Sequence, residues 1–255
     1  MNKKRLLKYV PLPDFQTFKT VLFVGPHPDD IEISSGALVK QMTKRGVVVH
    51  FLIATDGGAG TFDPKAQAKD IIAIRKKESE QAAAFLGVSS LEILPFEDGG
   101  VYSLEAMTVA IAKKIIAIKP DAIFAPDPLL PTEVHPDHLN VGIAARNALT
   151  IARFPLVAAR HGIDISKIKQ FPQGMNLVYF YTHRANVFIP ISEQELADKI
   201  TAIRFHASQI DHTMEIVMQY LQFKALEYGK KARSKFGEGF FALAPAHQHC
   251  FLENI

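Results

Sequence analysis

The chain has 255 residues, 48% of them hydrophobic and 22% charged, a balance that fits a globular protein with a buried core and excludes a disordered or fibrous one. Its formal net charge of +3 is small, and the basic residues are dispersed apart from Lys3-Lys4-Arg5 and the stretch from Lys230 to Lys235. Both runs read as solvated faces or as patches near an anionic ligand, and the balance argues against nucleic acid as a partner. A single Cys250 excludes an intramolecular disulfide and a thiolate zinc cluster, and it suits a reducing cytoplasm.

The N-terminal segment opens like a basic leader, but Lys8 and Pro11 interrupt it. No later stretch is long enough to span a bilayer, so neither leader nor anchor is expected. From there short unbroken apolar runs alternate with amphipathic segments. Strands are expected at 21–25, 47–54, 91–95 and 122–125, with helix-period segments near 33–45, 65–86, 103–118 and 137–152. Runs without polar alternation belong to strands covered on both faces, so the expected class is α/β, Rossmann-like, with a mostly parallel sheet. After residue 160 the rhythm changes. Leu177–Thr182 and Asn186–Ile191 read as a hairpin or two adjacent edge strands. Ser192, with Glu195 three residues on, then caps a helix whose apolar face holds Leu196, Ile200, Ile203, Ala207 and Ile210. No linker divides the chain, so one domain over 1–255 is expected, with a core at about 20–160 completed by 161–255.

Two polar clusters interrupt this pattern. Pro26-His27-Pro28-Asp29-Asp30-Ile31-Glu32 follows the first strand, and His135-Pro136-Asp137-His138 lies in the loop beyond the fourth. Imidazoles and carboxylates so dense at the mouth of a buried strand need paired charges, hydrogen bonds or a metal. Open parallel sheets bind ligands beyond the carboxyl ends of their strands, where both clusters fall if strands one and four are neighbours. His27 and Asp30, three apart where a loop becomes a helix, can face one ion while Asp29 points elsewhere. With His138 they form two imidazoles and a carboxylate with a position left for water, the donor set of catalytic zinc. Asp29 is then free to act as general base. Zn²⁺, Fe²⁺, Co²⁺ and Ni²⁺ all suit such donors. Glu32 is either a carboxylate favoured by the helix dipole or a hydrogen-bonding partner behind the ligands. The turn Thr55-Asp56-Gly57-Gly58-Ala59-Gly60 either cradles an anion through its N–H groups or is simply tight.

These motifs, a Thr-Asp-Gly loop after the second strand, Arg75-Lys76-Lys77-Glu78 leading to Ala84-Phe85-Leu86-Gly87-Val88, and the late Phe205-His206-Ala207-Ser208-Gln209 together resemble the PIG-L/LmbE-like zinc N-deacetylases. The wider pattern from Pro26 to Ala37 is similar to the bacterial branch that includes the bacillithiol-pathway deacetylase. The resemblance implies a Rossmann-like fold, one Zn²⁺, and hydrolysis of an N-acetyl group from a glucosamine moiety of a small molecule, with assembly as trimers or hexamers. It implies His27, Asp30 and His138 as metal ligands and Asp29 as base. It further implies His135 as the charged imidazole that stabilises the oxyanion, Asp137 as the group orienting it, and Arg75 and Asp98 as contacts to sugar hydroxyls.

One departure falls near the end. Where many members carry Glu after an aromatic-Ala pair, this chain has Leu243, which draws the C-terminal wall of the substrate pocket into question. His206 is either functional or a satisfied core histidine on its helix face. The tail Ala246-His247-Gln248-His249-Cys250 reads as an exposed terminus or a binder of adventitious metal. Phe62, Phe96 and Tyr102 are candidates to stack on a sugar, and an amide substrate other than an N-acetylglucosamine compound, or a non-catalytic sugar-binding role, is the alternative.

Overall fold

The structure, a computed structural model, describes residues 7–248, so Lys3-Lys4-Arg5, His249 and Cys250 lie outside it. The four early apolar runs form β1 (Thr20–Gly25), β2 (Val48–Thr55), β3 (Ser90–Phe96) and β4 (Ala122–Pro126). Between them lie α1 (Asp30–Lys44), α2 (Ala68–Leu86) and α3 (Leu104–Ile118), and α4 (Pro136–Arg153) and α5 (Pro155–Arg160) follow β4. Then come β5 (Asn176–Phe180), β6 (Val187–Ile191), α6 (Glu193–Arg204), α7 (His212–Ala232) and β7 (Phe236–Leu243). Among the described residues the strands form one sheet in the order β3-β2-β1-β4-β5-β7-β6, in which only β7 runs against the rest.

Alternate residues of the strands feed two separate cores, as both-sided burial demands. Val21 and Phe23 of β1, with Phe51 and Phe124, pack under α1, α2 and α6. Leu22 and Val24, with Leu52, Ile123 and Tyr179, pack under α3, α4 and α5. Phe23 and Phe124 stack at 4.2 Å between ring centroids across the β1–β4 pair. That pairing is parallel from Val21↔Ala122 to Phe23↔Phe124. The chain winds from β1 to one side as β2 and β3, then returns to the other side as β4, so a switch point opens above the carboxyl ends of β1 and β4.

The later half departs from sequence expectation in four places. Leu177–Thr182 and Asn186–Ile191 are not a hairpin, because β7, delivered from residues 236–243, inserts between β5 and β6 and pairs antiparallel with both. β5 is therefore interior, and β6 is the edge. The capping box at Ser192 and Glu195 is present, but the helix stops at Arg204 and the chain turns into a 3₁₀ segment at Ala207–Gln209. Ala207 is exposed, and His206, Ala207 and Ile210 share no helix face. Leu243 pairs with Leu177, near the amino end of β5 and opposite the switch point, so it lines no wall there. His247 is buried rather than part of an exposed tail: its Nδ1 accepts the Ala244 N–H at 3.1 Å and its Nε2 donates to the Val10 carbonyl at 3.2 Å.

The second basic run behaves as a surface. Lys235 pairs with Glu193 at 3.0 Å, and the Lys231 ammonium lies over the Phe188 ring. None of the described helices is long and apolar enough to cross a membrane.

Candidate metal centre

The loop after β1 and the N-terminus of α4 meet above the switch point. Asp30 Oδ2 lies 3.2 Å from His27 Nδ1 and 3.3 Å from His138 Nε2, and the three groups offer ligand atoms within 4.8 Å of one another. The trio read from sequence is thus brought together. Each imidazole has its remaining nitrogen on a carboxylate. His27 Nε2 donates to Asp137 Oδ2 at 3.0 Å and reaches Asp98 Oδ1 at 3.1 Å, and His138 Nδ1 donates to Glu133 Oε2 at 2.9 Å. A carboxylate behind each histidine fixes ring orientation and leaves the inner nitrogens aimed at one point, as metal-binding imidazoles require. Two such imidazoles, one inward carboxylate oxygen and an excess of surrounding acidic groups fit a divalent cation of the zinc type.

The electrostatics follow from the same contacts. Burial by itself strips His27 of charge, but the hydrogen bonds to Asp137, Asp30 and Asp98 outweigh it and push the imidazole up to about 12. Burial disfavours the Asp30 carboxylate too, yet His138 and His27 hold it well below the usual range.

Asp29 faces elsewhere, as expected. It occupies the N-cap of α1 at φ 104°, a backbone region that costs a non-glycine residue about 1–3 kcal/mol, and its side chain makes no cap. The carboxylate turns instead to Arg75 Nη2 at 3.3 Å. Burial and the neighbouring Asp30 charge push it up to about 6, against the pull of Arg75. Arg75 is only 3% exposed. It donates to the Pro28 carbonyl at 2.6 Å and the Gly57 carbonyl at 3.1 Å, tying the His-Pro-Asp-Asp loop to the glycine loop. A Cβ on Gly60 would collide with Arg75 Nη1, which accounts for glycine there. Two N–H groups of the same loop are spent on carboxylates, Gly58 on Asp56 at 2.9 Å and Ala59 on Asp98 of the loop after β3 at 3.2 Å.

His135 caps α4, its Nδ1 accepting the Asp137 N–H at 3.3 Å. That leaves the ring proton on Nε2, so the half-buried imidazole offers a donor there in either charge state. Burial, with the charges of His27 and His138, lowers its pKa. Asp137 is fully buried and 4.0 Å from His135 Nδ1. Its nearer partners are His27, the Gly99 N–H at 2.9 Å and the Tyr102 hydroxyl at 2.7 Å. Of the candidate stacking residues, Phe62 is 99% exposed, while Phe96 and Tyr102 pack on each other with centroids 5.8 Å apart.

Sequence reasoning missed two participants and half-read two more. Glu133 sits in a loop with no periodicity to mark it. Tyr181 reads as the end of a strand, yet its hydroxyl donates to Asp30 Oδ1 at 3.1 Å. Glu32 and His206, both 1% exposed, face each other at 3.4 Å behind Asp29, as an ion pair whose alignment falls short of a hydrogen bond. The rest of the late motif is anchored as well: the N–H and hydroxyl of Ser208 each donate to Glu78 at 2.7 Å, and Gln209 reaches the Gly60 carbonyl at 3.0 Å.

Comparison with known proteins places the chain in a family. Residues 22–149 match the family model described as PIG-L, GlcNAc-PI de-N-acetylase. The chain is 33% identical over 233 residues to a diacetylchitobiose deacetylase of Thermococcus kodakarensis, spanning 88% of this chain and 83% of that one. It is 32% identical over 207 residues to a probable N-acetyl-alpha-D-glucosaminyl L-malate deacetylase 2 of Bacillus cereus, spanning 76% and 86%. Among solved structures, N,N'-diacetylchitobiose deacetylase from Pyrococcus horikoshii, complexed with an inhibitor, superposes with a TM-score of 0.86 at 32% identity, over 98% of this chain and 94% of that one.

Proposed function

Because the chain belongs to the PIG-L family, we propose that it hydrolyses the N-acetyl group of a small N-acetylglucosamine compound, releasing acetate and a free amine, at a Zn²⁺ held by His27, Asp30 and His138. The observation that carries this reading is the convergence of those ligand atoms beside a carboxylate, Asp29, that belongs to neither the ligand trio nor the helix cap. A binding module has no need of that extra carboxylate.

Zn²⁺ bound there supplies Lewis-acid polarisation of the acetamide carbonyl and acidifies a water. Asp29 accepts the proton of the attacking water as its oxygen bonds to the carbonyl carbon. His135 donates from Nε2 to the carbonyl oxygen as negative charge collects on it. Asp29 then returns the proton to the nitrogen as the C–N bond breaks, so the amine and acetic acid leave, the acid losing its remaining proton to solvent as acetate, and the Asp29 carboxylate is restored. Arg75 keeps Asp29 ionised at neutral pH and locks the loop that carries it. Asp98, partly engaged with His27, has its second oxygen at the glycine-loop side, where the hydroxyls of a sugar are the partners we assign to it.

A groove of about 550 Å³ adjoins Tyr181 and is lined by Ser34, Thr132, Thr182, Lys199, Tyr220 and Lys224. None of His27, Asp29, Asp30, His135 and His138 lines that groove, so the choice of substrate rests on the relatives: those of Thermococcus and Pyrococcus make the disaccharide diacetylchitobiose the first choice. The Bacillus relative supports a malate conjugate as the second. Acetate release should be assayed with Zn²⁺-loaded protein on the free sugar, the disaccharide, and α-linked malate, inositol and lipid conjugates. Acetate from the disaccharide bears out the first choice, acetate from the malate conjugate alone moves the assignment to the second, and silence throughout with metal bound overturns deacetylation. The same reading includes a cytoplasmic homo-oligomer, trimer or hexamer. Self-association, though neither its number nor the compartment, is supported by the row Ile216, Tyr220, Phe223 and Leu226 left exposed along α7.

A further inference from the structure

Tyr181 is the first residue beyond β5, and it takes φ 47°, a left-handed conformation that a bulky aromatic side chain rarely adopts. Backbone of this kind persists only where the surroundings over-determine it. Here they do. The Asp127 N–H holds the Phe180 carbonyl at 2.9 Å, and the buried Asp127 carboxylate accepts the Thr182 hydroxyl at 2.6 Å and Arg184 Nη2 at 2.8 Å. Both sides of Tyr181 are therefore pinned to the end of β4.

The side chain so presented touches two of the three ligands. Its ring lies parallel to that of His138, with 2° between planes and 5.7 Å between centroids. Its hydroxyl proton is shared between Asp30 Oδ1 at 3.1 Å and the Asp30 carbonyl at 3.2 Å. The other carboxylate oxygen, Oδ2, receives the His27 N–H at 3.0 Å and faces both imidazoles. The two oxygens of one carboxylate are thereby given different tasks.

We infer that Tyr181 is a positioning residue that makes Asp30 a one-oxygen ligand: by occupying Oδ1 it leaves Oδ2 alone to meet the ion, and by stacking on His138 it sets the plane of the second imidazole. A carboxylate free at both oxygens can chelate through both and fill a position that the reaction needs open. The inference rests on the metal site proposed above.

The test is Tyr181→Phe, which keeps the ring and removes only the hydroxyl. Affinity for Zn²⁺ and Co²⁺ is measured by competition with a chelator, the visible spectrum of the Co²⁺ form is recorded, and the metal-free protein is melted as a folding control. The expected result is a loss of metal affinity of about 10–100-fold. Weaker Co²⁺ visible bands, as the coordination number rises, and a fall in kcat with KM unchanged are expected beside it. Affinity and spectrum equal to those of the unaltered protein would overturn the inference, whatever the melting temperature does. His138→Ala separates the two claims. If it binds metal as well as the unaltered protein does, the site itself is wrong. If it loses metal while Tyr181→Phe does not, only the role of Tyr181 is wrong.

Discussion

Asp29 and Arg75 meet at 3.3 Å, both of them buried. The guanidinium is fixed by the carbonyls of two loops, so it is a permanent charge against which the carboxylate is poised.

Removing the carboxylate should therefore separate chemistry from metal binding. Asp29→Ala is expected to lower kcat by about 10²–10⁴-fold, the usual worth of a positioned general base, with metal content unchanged. Metal analysis and acetate assays on the same preparation check it, and full turnover would remove Asp29 from the mechanism.

The pH profile carries a sign. Asp29 is pushed up to about 6, and a cation bound nearby can only lower that value, so kcat/KM should rise along an acid limb centred at or below about pH 6. Arg75 favours the ionised form. Arg75→Met should move the limb to higher pH, and a limb that stays put or moves down contradicts the assignment.

Glu133 tests the carboxylate behind His138. Glu133→Gln keeps the shape but loses the charge opposite Nδ1, and Zn²⁺ affinity is expected to fall by about 10–100-fold. Equilibrium dialysis against a chelator measures it.

The Glu32–His206 pair is a matter of stability. Taking away one partner of a buried pair costs about 3–5 kcal/mol, so His206→Ala should lower the denaturation midpoint markedly at neutral pH. Burial opposes the charge on His206, but Glu32, Asp29 and Glu78 raise its pKa above the ordinary 6.5. The contribution is then complete below pH 6.5 and fades as pH climbs through the higher folded value, so the gap between variant and unaltered protein should narrow in alkali. A gap that widens with pH refutes the ion pair.

Much of this was legible because local chemistry and global placement coincide. β1 to β4 are apolar runs bounded by turns, and His27, Asp30 and His138 follow from two dense motifs at neighbouring strand ends. The later half was harder, since its partners are distant in sequence. β7 carries Gly237, Glu238 and Gly239 in place of an apolar run, and Glu238 is tolerated because Lys199, 39 residues away, meets it at 2.6 Å. Tyr181 is recognisable only by its backbone angle, which no pattern of residue types announces.

The position of β7 also orders events during synthesis. β6 has no neighbour until Phe236–Leu243 leaves the ribosome, and Arg184, whose guanidinium rests 4.3 Å above the Phe241 ring, waits on the same strand. A nascent chain thus holds His27, Asp30 and His138 long before it holds β7, the strand that seats β6 beside β5.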